Sequence, residues 1–137
     1  MSGVIRVSAV VLLDGAGRML TVRKRGTARF MLPGGKPEPG ESAAETAVRE
    51  VREEIGLDLD PAALEPLGAH RAAAANEAGL EVEGAIFLAP AAVASPDAIR
   101  PAAEIEELRW MDPSSPPPAD LAPLLAERVL PALAARR

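Results

Sequence analysis

The chain has 137 residues, 48% of them hydrophobic, and a net charge of −5, which suits one domain with a proper core and argues against a protein built to bind nucleic-acid backbone. With no Cys and a single His, thiol catalysis, disulfides, zinc–thiolate sites and multi-histidine centres are excluded, and carboxylates with a metal are left to do any chemistry. The apolar run at residues 4–13 is interrupted by Arg6, too short to span a bilayer and without the marks of a secretory signal, so a cytoplasmic protein with no membrane partner is expected.

Residues 4–13 read as a strand. Ile5, Val7, Ala9, Val11 and Leu13 alternate on one face while Val10 and Leu12 make the other apolar, the pattern of a central strand covered on both sides. Residues 14–17 are a turn, and residues 19–25 return as a second strand, so the two are expected to form a hairpin. The second strand ends on Arg23-Lys24-Arg25 and leads through Phe30 into Leu32-Pro33-Gly34-Gly35.

A Pro/Gly loop follows, then a helix crowded with carboxylates. Ser42 and Glu45 form a capping box that starts the helix, and Gly56 supplies the permissive backbone that ends it. Ala44, Val48, Val51 and Ile55 fall on one stripe that must pack on a core. Glu50, Glu53 and Glu54 have the i, i+3, i+4 spacing and are expected to project together. Like charges so placed repel by roughly 0.2–0.5 kcal/mol per pair. Arg49, four residues from both Glu45 and Glu53, relieves part of that. A hard divalent cation would relieve the rest, since Mg²⁺ takes oxygen ligands and joins carboxylates to substrate phosphates. The plain alternative is a solvated acidic helix face.

Residues 58–61 form a turn, residues 64–74 a strand carrying His70 as an ordinary polar residue, and residues 76–79 a hairpin turn. The next strand, residues 80–89, sets Val82, Ile86 and Leu88 on one face and Glu81, Glu83 and Phe87 on the other. An irregular Ala/Pro connection at 90–101 precedes a loop that runs into a strand over 103–112. The Pro/Ser stretch at 113–118 is a linker within the domain. Asp120 is expected to cap a last helix at about 120–135, with Leu121, Leu124, Leu125, Val129 and Leu133 facing inward and Pro131 kinking or splitting it. This order predicts an α+β domain spanning residues 1–137, with a mixed sheet between helices.

Residues 35–57 read G-x5-E-x7-R-E-U-x-E-E-x-G-U, where U is aliphatic. Gly35, Glu41, Arg49, Glu50, Val51, Glu53, Glu54, Gly56 and Leu57 fill every specified position, so the stretch resembles the signature box of the Nudix hydrolases. The resemblance implies an α/β/α sandwich with a central mixed β-sheet. It also implies metal-dependent hydrolysis of the pyrophosphate bond in a nucleoside diphosphate linked to another moiety, such as a nucleoside triphosphate or an ADP-ribose-type compound. Mg²⁺, with Mn²⁺ as substitute, would be held by Glu50 and Glu54 with help from Glu53 and the Gly35 carbonyl. Glu104, in a segment similar to the family's Glu-Ile-x-Glu-x-x-Trp pattern, is the best match for an extra metal-binding or water-activating carboxylate, with Glu106 and Glu107 as fallbacks. Either Glu53 or Glu104 would be the general base, with Arg49 orienting the carboxylates and Glu41 supporting the loop–helix junction. Arg23 or Lys24 would touch phosphate, and Gly34 and Gly35 would let the loop approach it. Phe30 is weighed between a stacking surface and a core residue that anchors the loop. The rival reading is a catalytically silent nucleotide-binding sensor, and a homodimer is left open.

Overall fold

The computed structural model describes residues 3–136. Strand β1 (Val4–Val11) lies inside a four-stranded sheet of order β3-β1-β5-β4, between the short β3 (Gly34–Gly35), antiparallel to it, and β5 (Glu81–Leu88), parallel to it. Strand β4 (Glu65–Ala73) is the far edge, antiparallel to β5. As its two apolar faces predict, β1 is covered on both sides. Ala9 and Val11 enter one buried cluster with Ile86, Leu125 and Val129. Val10 joins a second with Ala47, Val51 and Ile55 of helix α1 (Ala43–Ile55).

The expected β1–β2 hairpin does not form. Strand β2 (Met19–Lys24) instead pairs antiparallel with β6 (Ile105–Met111) in a separate two-stranded sheet. Only the neck of the turn pairs, through the Leu13–Met19 bridge and the bond from Leu20 N–H to the Leu12 carbonyl. Asp14 explains the tight reversal, because its buried carboxylate accepts from the N–H groups of Ala16 and Arg18 and closes a side-chain-mimicked turn. Leu20 and Val22 are then free to pack into the cluster on the α1 side.

The C-terminal segment covers the opposite face of the four-stranded sheet. It begins as π-helix over Leu124–Val129, with the Leu130 N–H reaching back to the Leu125 carbonyl, and continues as α2 (Leu130–Ala135). Pro131 splits it as expected. Proline lacks the N–H that an α-turn needs and clashes with the carbonyl one turn back, and the wider turns just before it accommodate that. Asp120 does not cap this helix. Its carboxylate takes a two-pronged grip from Arg109 at 2.8 and 2.9 Å, a stronger partner than a backbone amide, and the helix enters through Pro123, which has no N–H to satisfy.

Arg109 also stacks on Phe30, 3.8 Å from the ring centroid. The backbone of Phe30 brackets the same junction, donating to the Asp120 carbonyl and accepting from Ala122 N–H. This clamp joins the β2–β3 connection to the helix that covers the sheet. Arg109→Met should therefore lower stability by about 1–2 kcal/mol, the worth of a half-exposed charge-assisted pair plus a cation–π contact, read as a fall in Tm. Among the described residues, no helix is long and apolar enough to cross a membrane.

Candidate active site

Helix α1 is built as its sequence predicts. Ser42 accepts from Glu45 N–H while the Glu45 carboxylate accepts from Ser42 N–H, and Gly56 closes the helix at φ 72°. The buried stripe is Ala47, Val51 and Ile55, with Ala44 and Val48 at its margin. The three carboxylates remain neighbours, with one Arg49 nitrogen bridging Glu50 and Glu53, but their packing sets them in different surroundings. Glu54 is buried at 1% exposure, and its Oε1 accepts from Gly34 N–H at 2.9 Å. Its Oε2 is buried with no hydrogen-bond partner. Burial dominates this group and pushes its pKa up to about 8, although the Gly34 bond opposes the rise. Glu50 is partly buried and shifted upward for the same reason. Glu53 is half exposed and turned toward Arg49.

Arg49 is the hub of the box. Its fork grips Glu41 at 2.7 and 3.0 Å, while another nitrogen donates to Glu50 at 3.0 Å and to Glu53 at 3.0 Å. It also donates to the Lys36 carbonyl at 2.9 Å. The partner expected N-terminal to it was Glu45, but that side chain is engaged in the capping box. Glu41 supplies the bond instead, and it also accepts from Glu38 N–H and the buried Thr46 hydroxyl. Its pKa is held down to about 2, chiefly by the Arg49 bonds.

The Pro-Gly-Gly run is a short strand rather than a loop. Gly34 and Gly35 pair with Ala9 and Ser8 of β1, and here the absence of side chains is required. A Cβ on Gly34 would strike the Ser8 carbonyl oxygen and lie 2.7 Å from Ala9 Cα; one on Gly35 would press into the Glu50 carboxylate, 2.6 Å from Oε1. Gly35→Ala should therefore displace Glu50 while the chain still folds, and any divalent-cation affinity that rests on Glu50 should fall by roughly tenfold or more, since disturbances around metal ligands cost 10- to 100-fold. Gly34→Ala, which meets rigid backbone, should instead show as lost stability of about 1–3 kcal/mol. Calorimetry with and without Mg²⁺ separates the two effects.

Glu104 reaches the same place from the turn that leads into β6. The turn before it holds Ala103 at φ 53°, an uncommon conformation for a residue with a Cβ, and Ala102 N–H ties that turn to the Glu54 carbonyl at 2.8 Å. A register shift opposite Arg23 and Lys24 leaves Glu106 unpaired in the ladder, and bulges of this kind re-aim side chains beside functional clefts. Lys24 and Glu104 meet at 3.1 Å, and both line a cavity of about 390 Å³ with Gly34, Gly35, Lys36 and Glu50. Arg23 is not brought there; it pairs with Glu107 and the Thr27 carbonyl. Phe30 is 4% exposed within the core, and none of Phe30, Phe87 and Trp110 lines the cavity. The walls are aliphatic, with Ile5, Val7, Val82 and Ile86 from the sheet facing Leu124 and Val129 of the π-helical turn.

Sequence reasoning missed Lys36, Thr46 and the cavity wall from 122–129. The alternation of Ile5, Val7 and Ala9 marked the floor, but nothing local told which helix would cover it. Among the described residues, no three acidic or histidine side chains are grouped closely enough to hold a metal ion by themselves. The donor set nevertheless suits Mg²⁺, which is commonly bound by one or two carboxylates and completed by waters and substrate phosphates. Glu54, with one buried oxygen lacking a partner, is the clearest such donor.

A family model described as the NUDIX domain matches residues 4–133. The chain belongs to the Nudix family. A putative 8-oxo-dGTP diphosphatase of Bacillus subtilis (strain 168) is 43% identical over 49 residues, which make up 36% of this chain and 33% of that protein. The match thus spans about a third of the relative's length. Among solved structures, the E. coli ORF135 protein superposes with a TM-score of 0.73 at 25% identity, covering 98% of this chain and 91% of that one. A MutT Nudix hydrolase from Burkholderia pseudomallei gives 0.71 at 22% identity, covering 93% and 95%. A C. elegans Ap4A hydrolase, solved as a binary complex, gives 0.68 at 17% identity, covering 96% of both chains. The last two likenesses establish the Nudix fold, a mixed sheet between helical layers.

Proposed function

We propose that this Nudix chain hydrolyses a phosphoanhydride bond in a nucleoside diphosphate linked to another group, with a nucleoside triphosphate the first choice, in the presence of Mg²⁺ or Mn²⁺. The observation that carries the reading is the polarity of one cavity. Lys24, Glu50, Glu104 and the Gly34–Gly35 backbone lie at one end, and an aliphatic chamber of nucleoside size opens from it. The names of related proteins agree, since they specify 8-oxo-dGTP and Ap4A.

Glu50, Glu54 and the Gly35 carbonyl would hold the cation. When bound, it would neutralise phosphate charge and acidify water. Lys24 would bind phosphate oxygens, and the glycines would admit the diphosphate close to the backbone. Arg49 orients Glu50 and Glu53. For the general base, Glu104 is favoured over Glu53, because Glu104 lines the cavity and Glu53 does not. The ion pair with Lys24 would keep Glu104 aimed until substrate phosphate competes for the lysine.

The test is phosphate or pyrophosphate release with Mg²⁺ across nucleoside triphosphates, ADP-ribose and dinucleoside polyphosphates. Metal-dependent turnover of at least one, strongly reduced in Glu104→Gln, is expected. Tight binding of a nucleotide with no turnover of any would replace the enzyme with a sensor module.

A further inference from the structure

The cavity has a second polar end that the hydrolytic chemistry does not use. Its floor runs along β1 from Ala9, opposite Gly34, to Ile5, opposite Val82, four residues or about 13 Å at strand rise. At the far end stands the β4–β5 turn, which contributes Ala74, Ala75, Asn76 and Glu77 to the lining. Asn76 and Glu77 are exposed. Among the described residues, neither side chain makes a hydrogen bond; the Glu77 carbonyl accepts from Leu80 N–H. The two polar side chains thus stand at the mouth of an aliphatic slot, a nucleoside's length from the phosphate end.

We infer that the β4–β5 turn is the specificity element of this site, with Asn76 and Glu77 reading the hydrogen-bonding edge of a nucleobase held between the aliphatic walls. This rests on the hydrolase reading above and adds the class of base. A carboxylate only accepts hydrogen bonds, and an amide both donates and accepts. The complementary edge carries adjacent N–H donors beside a carbonyl, as guanine does with its ring N–H and amino group next to O6. Uracil presents one N–H between two carbonyl oxygens, which a carboxylate repels. Adenine presents its amino group beside a ring acceptor. Glu77 also fixes direction: its charge repels phosphate, while Lys24, paired with Glu104, attracts it at the other end. Without an aromatic side chain in the lining, stacking against one cannot blur the choice between bases.

The experiment measures kcat and KM for GTP, ATP and UTP with Mg²⁺, in parallel with equilibrium binding of their non-hydrolysable α,β-imido analogues. The wild-type chain should prefer guanine to uracil by roughly tenfold or more, the worth of one or two hydrogen bonds to a charged group. Glu77→Ala and Asn76→Ala should erase that preference through KM and binding, while Glu81→Gln, on the same hairpin but outside the cavity lining, retains it. A preference that survives both turn variants, or equal binding of all three analogues by the wild type, overturns the inference. If the wild type binds selectively through the turn but hydrolyses nothing, the hydrolase reading fails while the specificity element stands.

Discussion

Glu54→Gln is expected to reduce turnover by on the order of 10²-fold or more, exceeding the 10- to 100-fold typical of residues that merely support metal ligands, without harming the metal-free fold. Glutamine keeps the carbonyl oxygen that accepts from Gly34 N–H and replaces the partnerless Oε2 with a neutral group. Above pH 8 it also removes the buried charge that the helix otherwise has to contain. The pH dependence gives this a sign. Burial raises the Glu54 pKa from 4.5 to about 8, so between those values the unfolded chain is ionised while the folded one holds the proton. The Glu54 contribution to metal-free stability should therefore be fully present below pH 4.5, fall as pH rises toward 8 and level off above it. The glutamine variant lacks that slope, so its Tm should match the wild type in mild acid and exceed it in mild alkali. Thermal melts in chelator at several pH values, paired with turnover assays, read both halves. A variant that melts lower at every pH would show that the carboxylate serves the fold.

Replacing Arg49 should harm both stability and activity. One guanidinium satisfies Glu41, Glu50, Glu53 and the Lys36 carbonyl, so Arg49→Met leaves three carboxylates facing one another. A loss of about 2 kcal/mol is expected for such partly buried charge-assisted bonds, with turnover falling on the order of 10²-fold as the carboxylates lose their orientation. Lysine should not rescue it, because a point charge cannot reproduce the two-pronged grip on Glu41. The pH dependence here runs opposite to that of Glu54. The Glu41 pKa is lowered from 4.5 to about 2, so its contribution is fully present above pH 4.5 and is lost as pH falls toward 2. The gap between wild type and Arg49→Met should be widest above pH 4.5 and narrow in acid, as denaturant titrations at stepped pH will read.

What could be read from the sequence was the local part of the design. The capping box at Ser42 and Glu45, the left-handed Gly56 and the two-faced β1 each depend on a few neighbouring residues, and each formed as expected. Strand pairing was not legible, because the pattern of β2 suits any apolar neighbour and only the assembled core selects β6 over β1. The same limit applied to the carboxylates. Helical spacing gave Glu50, Glu53 and Glu54 one sector, but β3 lies against the buried Glu54 and solvent against the half-exposed Glu53. Glu41 and Asp120 show it too: each is bound by an arginine eight or eleven residues distant, beyond any local rule. Gly34–Gly35 read as a loop because glycine favours none of the regular structures, whereas the close approach of β1 explains both glycines.

The most direct test of the account is a calorimetric Mg²⁺ titration near neutral pH, with and without a non-hydrolysable diphosphate analogue, run in buffers of different ionisation enthalpy. Because Glu54 holds a proton in the metal-free protein, binding should release protons, be strengthened by the analogue, and disappear in Glu54→Gln. Binding without proton release that is equally strong in the glutamine variant, or no binding under either condition, would contradict the assignment of this helix as a metal-dependent active site.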